Sequence, residues 1–363
     1  MNIIIEARSL AAKSGGVKTY THELIKNLTA LHPDTNIECI YGAQSNLGTF
    51  PQTQETVIPL YSEVFLPLWM NSVHTQVANK RPDVVHYTKA GIPRKKVVPT
   101  VVTLHDIIPI LFPETQSPLR RLYWPHVLKY AATYADHIIT ISEKSKADIM
   151  QHFNVSPERI TVTPLAVDTN HFHPSTPAGR SGQDPYILFV GTRDARKNIS
   201  SLIRAFARIA KDIPHKLVIV GKPAKKQDDS LQIARESGLS DRIDFREDVS
   251  YAQLPDLYRN ADIFVWPSIY EGWGFPPQEA MACGTPVIVS DGGPLPEVVG
   301  DAGVIVELQG DGFIERLSQE ILSLIGDDSR KQELIQRGLQ RVAQYSWKSV
   351  AEKTWEVYSK VSA

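Results

Sequence analysis

Short β-branched and apolar runs alternate along this chain with longer segments in which apolar residues return every three or four positions. That alternation predicts parallel sheets covered on both faces by helices. In the first half, strands are expected at Ile3–Ile5, Ile37–Tyr41, Val84–Tyr87, Thr100–Leu104, Ile138–Ile141 and Ile160–Thr163. Helices fall between them at about Val17–Leu31, Leu119–Ala135 and Glu143–Phe153. A stretch rich in Pro, Ser, Thr and Gly, from Pro174 to Pro185, then breaks the order. Beyond it the alternation restarts with strands at Tyr186–Val190, Leu217–Val220, Ile243–Phe245, Ile263–Trp266, Val287–Val289 and Val304–Val306. Helices follow Asn198, Gln227, Tyr251 and Pro277, and from Gly310 the pattern is purely helical, at about Phe313–Ile325, Ser329–Gln344 and Trp347–Val361.

The expected architecture is therefore α/β, with two Rossmann-like doubly wound domains: residues 1–173, a linker at 174–185, and residues 186–346. The last helix, about 347–363, has no strand left to cover and is expected to return to the first domain. Doubly wound sheets bind ligands at the carboxyl ends of their strands, so the two mouths are expected to face across a central cleft.

Composition narrows the function. At 363 residues the chain is long for a single core, and its 42% hydrophobic and 22% charged residues are a globular balance. A net charge of -1 leaves no overall field for nucleic acid. Cys39 and Cys283 support neither a disulfide framework nor a zinc site. The first residues are too briefly apolar for a signal segment and no later run has the length of a membrane span, so the expectation is a cytoplasmic protein, at most peripheral to a membrane.

Four segments carry chemistry. The densest is Pro267-Ser-Ile-Tyr-Glu271-Gly-Trp-Gly-Phe-Pro-Pro-Gln-Glu279, a buried strand running through a glycine loop into a helix. The helix's first turn is expected to offer backbone N–H groups and a positive dipole end to an anion. Gly272 and Gly274 permit close backbone approach, and Glu279 can turn a carboxylate toward paired hydroxyls such as a ribose diol. The second is Gly191-Thr-Arg193-Asp-Ala-Arg196-Lys197, a strand-to-helix loop whose cations suit a diphosphate. The third is Ser14-Gly15-Gly16-Val17, a glycine pair opening the first helix. The fourth is Thr103-Leu-His105-Asp106, where a strand-end histidine can reach a sugar hydroxyl.

Together these segments resemble the retaining glycosyltransferases of family 4, of the GT-B type, in which two glutamates with seven residues between them mark the donor site. Glu271 and Glu279 match that spacing, and Glu-Gly-Trp-Gly-Phe-Pro stands where the family commonly has Glu-Gly-Phe-Gly-Leu-Pro. The resemblance implies that Glu271 lies beside the transferred sugar, that Glu279 holds the ribose, and that Gly272, Trp273, Gly274 and Phe275 complete the donor loop. It assigns the leaving diphosphate to Lys197 and Arg196, a phosphate contact to Gly16, and a donor-sugar contact to His105, paired with Asp106 as in many mannosyltransferases. Arg193 stands where an apolar residue is frequent, Val249 where the family contacts the base, and Ser142 where related chains place a cleft serine, although Ser142 also reads as a helix N-cap.

No Asp-x-Asp triplet occurs, so the expected reaction needs no divalent metal and no cofactor. The resemblance implies that a nucleotide-sugar, best read as GDP-mannose, donates a hexose to a saccharide or lipid-linked saccharide with retention. Glu271 is expected to support the sugar electrostatically; a covalent role stays open. Aromatic residues beside bases at Phe65–Met70 and Arg120–Trp124, with Arg94-Lys95-Lys96, suggest weak contact with an anionic membrane surface. The competing readings are a UDP-hexose transferase, a nucleotide-sugar 2-epimerase of the same fold, told apart by incubating donor without acceptor, and a non-catalytic nucleotide-sugar-binding subunit.

Overall fold

The computed structural model describes residues 1–12, 15–61, 66–93, 95–174, 184–224 and 229–363. Ser14, Phe65, Arg94 and most of the 174–185 stretch lie outside them. The chain divides into two compact units, Met1–Leu165 with Ser346–Ala363, and Ala166–Tyr345. The first unit ends ahead of the expected linker because Phe172, fully buried, already packs edge-on against Tyr258 of the second unit's own core.

The first unit holds a seven-stranded parallel sheet: β1 (Asn2–Glu6), β2 (Asn36–Tyr41), β3 (Gln54–Val57), β4 (Val84–Tyr87), β5 (Thr100–Thr103), β6 (His137–Thr140) and β7 (Ile160–Val162), in the order β3-β2-β1-β4-β5-β6-β7. The second holds six: β8 (Tyr186–Val190), β9 (Lys216–Val220), β10 (Ile243–Arg246), β11 (Ile263–Trp266), β12 (Val287–Ser290) and β13 (Gly303–Val306), in the order β10-β9-β8-β11-β12-β13. Six of these strands, β4, β5, β6, β8, β11 and β12, are buried throughout, and β1, β2 and β9 at all but their first residue, which is why they read as apolar runs and not as alternations. The strand order reverses between β1 and β4 in the first unit and between β8 and β11 in the second, and loops leaving the carboxyl ends at such a point part to leave a ligand crevice.

Among the elements that were not expected, two lie in the first unit and change its reading. β3, Gln-Glu-Thr-Val at the sheet edge, is polar and only partly buried, so it has no apolar signature. The helix Leu66–Lys80 buries Leu66, Trp69, Met70, Val73 and Val77 in the core, and Trp69 Nε1 donates to the Ile58 carbonyl at 2.5 Å. This corrects the reading of that aromatic stretch as a membrane-facing surface: its spacing is that of a core-facing helix stripe. The terminal helix Trp347–Ser362 packs on the helix Gly16–Leu31, with His32 stacked on Trp355 at 3.6 Å between ring centroids. Tyr358 adds a buried contact to His86 Nδ1 at 2.7 Å.

Candidate functional site

In the second unit the loops that follow β8 and β11 meet at the switch point, and they carry the two strongest sequence motifs. Asp194 caps a short turn over Ala195–Lys197 by accepting from the Arg196 amide, and Asn198, in the left-handed region at φ 56°, starts the helix Ile199–Ile209. That turn is sewn to the β11 loop: the Ile269 amide donates to the Arg196 carbonyl at 2.8 Å, Asn198 Nδ2 to the Pro267 carbonyl at 3.1 Å, and the Arg196 guanidinium to the Tyr270 carbonyl. Residues 74 positions apart in sequence are thereby fixed around one carboxylate. Lys197 Nζ lies 2.6 Å from Glu271 Oε1, and Arg196 Nη1 2.9 Å from Glu271 Oε2.

The site's electrostatics follow from burial. Glu271 is 8% exposed, and burial alone would raise its pKa; the charges of Lys197 and Arg196, with bonds from Lys197 and Ser268, outweigh that and hold it below the usual carboxylate range. Burial lowers the Lys197 pKa against the pull of Glu271. Its ammonium also sits over the Trp266 ring, 4.7 Å from the centroid, while Phe189 stacks on the same indole at 4.8 Å. Gly191 is required here: a Cβ at that position would come within 2.5 Å of the Trp266 ring. Gly293, at φ +64°, presses on Glu271 from the loop after β12, where a Cβ would lie 2.7 Å from the Glu271 carbonyl oxygen.

Glu279 stands in the helix Phe275–Ala282, capped by Gly274. Tyr258 donates to its Oε2 at 2.7 Å, yet burial prevails and raises its pKa to about 7. The first turn of this helix departs from expectation. Pro276 and Pro277 occupy it and have no N–H, so the amides foreseen for an anion are missing at two positions.

Other expected residues take different positions. Trp273 is 3% exposed, donates from Nε1 to Gln278 Oε1 at 3.0 Å and meets Tyr345 edge-on, so it supports the loop from inside and presents no face to a ligand. Arg193 is 1% exposed, bonded to Glu247 at 2.8 Å and to the Gly221 carbonyl at 3.1 Å, and lies over Phe245. It ties β8 to its neighbours and is not a free phosphate ligand. Gly272 is buried, Phe275 half-buried at the helix start, and Val249 half-buried just before Ser250, whose hydroxyl forms a capping box with Gln253.

In the first unit, Gly16 is exposed as the first residue of the helix Gly16–Leu31, after β1. His105 follows β5; its Nε2 lies 3.0 Å from the Thr88 carbonyl, which only accepts, so Nε2 carries the proton and Nδ1 is left as an acceptor for a hydroxyl. Burial, reinforced by the Lys89 charge, lowers its pKa to about 4, and the ring is neutral at pH 7. Asp106 accepts from the Ile108 amide at 2.9 Å and opens the short helix Ile108–Leu111. Ser142 is fully buried and accepts from the Ser145 amide at 3.0 Å, the N-cap of the helix Glu143–Phe153. Ser268, Tyr258, Trp266 and Gly293 had no assigned part in the sequence reading. The Gly292-Gly293 pair closing a strand was the available signal; Tyr258 has none, since its partner lies 21 positions on.

The chain is similar to known proteins over nearly its whole length. The family model "Glycosyltransferase Family 4" matches residues 14–171 and "Glycosyl transferases group 1" matches residues 175–341. The chain is 28% identical to O-antigen chain mannosyltransferase B of Escherichia coli over 99% of both chains. It is 32% identical to alpha-maltose-1-phosphate synthase of Mycolicibacterium smegmatis, over 73% of this chain and 74% of that protein. Among solved structures it is similar to sucrose-phosphate synthase from Thermosynechococcus elongatus, with a TM-score of 0.80, 22% identity and 99% coverage of both chains.

Proposed function

Because the chain belongs to glycosyltransferase family 4 and is a glycosyltransferase of two Rossmann-like units, we propose that it transfers mannose from GDP-mannose to a saccharide or lipid-linked saccharide in cell-surface polysaccharide assembly, with retention and without a divalent metal. The observation that carries this reading is the convergence of Arg196, Lys197 and Glu271 at the switch point of the second sheet. Two cations held by one carboxylate form a seat that a diphosphate, with two charges against one, can occupy in its place. As the anomeric bond breaks, charge accumulates on the departing phosphate; Arg196 and Lys197 stabilise it, and Glu271 supports the positive character developing on the sugar. Glu279 takes the ribose hydroxyls. His105, neutral and with Nδ1 accepting, orients a sugar hydroxyl.

Mannose is favoured by the His105-Asp106 pair and by the mannosyltransferase similar to this chain over its whole length. Metal independence is part of this reading because Arg196 and Lys197 stand where positive charge is needed to meet the diphosphate. Acceptor selection is assigned to the first unit, whose helix Pro118–Tyr134 gives it a peripheral contact with anionic lipid; among the described residues no helix is long and apolar enough to cross a membrane.

Binding calorimetry with a panel of nucleotide-sugars tests the donor. GDP-mannose is expected to bind more tightly than UDP-hexoses, Lys197→Ala to weaken it by about 30-fold or more, and EDTA to leave binding and turnover unchanged. Indifference to Lys197→Ala, or loss of turnover on removing divalent ions, would end this assignment.

A further inference from the structure

Ser268 is fully buried two residues beyond β11, and its Oγ lies 2.5 Å from Glu271 Oε1. The same oxygen is 3.1 Å from the Arg196 carbonyl and 3.3 Å from the Tyr270 carbonyl. All three neighbours accept only, and a hydroxyl has one proton to give. The carboxylate is nearest and charged, so it takes that proton. Ser268 cannot drift from this position: Ser290 Oγ donates to its carbonyl oxygen, and Gly292 lies so close that a Cβ there would be 2.2 Å from that same oxygen.

The contacts on Glu271 differ in what a donor does to them. Lys197 and Arg196 from the β8 loop are the charged groups against the carboxylate, with Asp194 behind them at 4.0 Å from Arg196, while Gly293 touches only its backbone. On the reading that these cations receive the diphosphate, donor binding draws them away from Glu271 at the moment its charge is needed beside the sugar. Ser268 is uncharged and locked from the β12 side, so the diphosphate exerts no such pull on it.

We propose that Ser268 is a positioning residue that keeps Glu271 aimed and ionised once the donor has engaged Arg196 and Lys197. The inference rests on the diphosphate assignment above, and its signature is confined to the donor complex. In the free enzyme the two cations hold Glu271 whether or not Ser268 is present; in the complex they do not.

The test compares wild type with Ser268→Ala and Ser268→Cys in the full chain. Cysteine fills the same space with a weaker donor and serves where the alanine variant does not fold. Affinity for the nucleoside diphosphate is expected to stay within about twofold of wild type and kcat to fall about 10- to 100-fold, the loss of one bond to a charged group. The acidic limb of the kcat profile, which reports the complex, should move to higher pH, while that of kcat/KM, which reports the free enzyme, stays in place. An unmoved kcat limb, or equal movement of both limbs, overturns the proposal. Nucleoside diphosphate binding indifferent to Lys197→Ala is a separate result: it removes the diphosphate assignment and this proposal with it, whereas binding that depends on Lys197 beside an unmoved limb removes the role of Ser268 alone.

Discussion

At Glu279 two opposing effects meet. Burial drives the carboxyl's pKa up, the Tyr258 hydroxyl pulls it back by donating to Oε2, and the result is about 7, within the range where an enzyme works. Only the ionised form can accept both hydroxyls of a ribose, so donor affinity falls as pH drops through that value. Between pH 8 and pH 6 the ionised fraction falls about tenfold, and the dissociation constant for an intact nucleotide-sugar should rise by about that factor. The diphosphate of such a donor does not titrate in this window, which leaves Glu279 as the cause. Calorimetry at the two pH values on wild type and Glu279→Gln checks this: a flat response in wild type, or a slope that survives in the glutamine variant, would refute it. At this scale the family resemblance made Glu271, Arg196 and Lys197, which the fold brings together, legible in the sequence, and Glu279 with them. Arg193 was not, because its ion pair with Glu247 is closed by the sheet, and a basic loop looks the same whether its arginine faces solvent or Phe245.

Helices and strands were legible where their apolar period was long. The helix Pro118–Tyr134 was read correctly to within a residue or so at each end, and its surface now has definition: Trp124 and Leu128 face the core, while Leu119 and Leu122 are 65% and 70% exposed beside the exposed Arg120 and Arg121. Leu119 and Leu122, three positions apart, share one exposed face with arginines in the same turn, and apolar area beside positive charge is what an anionic interface attracts. The full chain is expected to co-sediment with phosphatidylglycerol vesicles at low salt, to leave them at high salt, and to ignore phosphatidylcholine; Arg120→Gln with Arg121→Gln should lower the bound fraction several-fold. Equal partitioning to both lipids, or none that responds to salt, would count against the contact. The elements that escaped were those whose signal is tertiary. β3 is held as an edge strand by its pairing with β2 more than by its own residues, and the proline in the first turn of the helix Leu66–Lys80 hid a period that becomes plain once Trp69 and Val73 are seen in one core.

Taken as a whole the molecule holds two sheets of one plan, the first with buried histidines whose pKa is lowered, the second with the buried Glu279 carboxyl, whose pKa is raised as is that of Glu6 in the first. The first unit buries His86 at 0% and His137 at 3% exposure, bonded to Thr103 and Tyr358 and to Thr161. Burial, with His105 nearby, lowers the His86 pKa to about 3; burial, with Lys360 and Arg159, lowers that of His137 to about 4. Both folded values lie below the unfolded one near 6.5, so their contribution to stability is complete above pH 6.5 and is lost as pH falls toward 3–4; by pH 5 that loss is about 2 kcal/mol for each histidine. In the second unit Glu279 has the reverse sign, since its raised pKa favours the folded state more as acid is added. The window for Glu271, whose pKa is lowered, opens only below 4.5. Between pH 7.5 and pH 5, then, His86 and His137 weaken the first unit, with Glu6, whose burial raises its pKa, offsetting part of that loss, while Glu279 favours the second. Pulse proteolysis with mapped cleavage sites should show early cuts within residues 1–165 and 346–363 at pH 5 but not at pH 7.5, with His137→Gln, which cannot acquire the charge, delaying them. If the second unit opens first, or both yield together at each pH, the buried histidines do not set the acid limit. The terminal helix shares this fate because Tyr358 is bonded to His86, and protonating that imidazole on both nitrogens obliges the Tyr358 and Thr103 hydroxyls to accept from it at once.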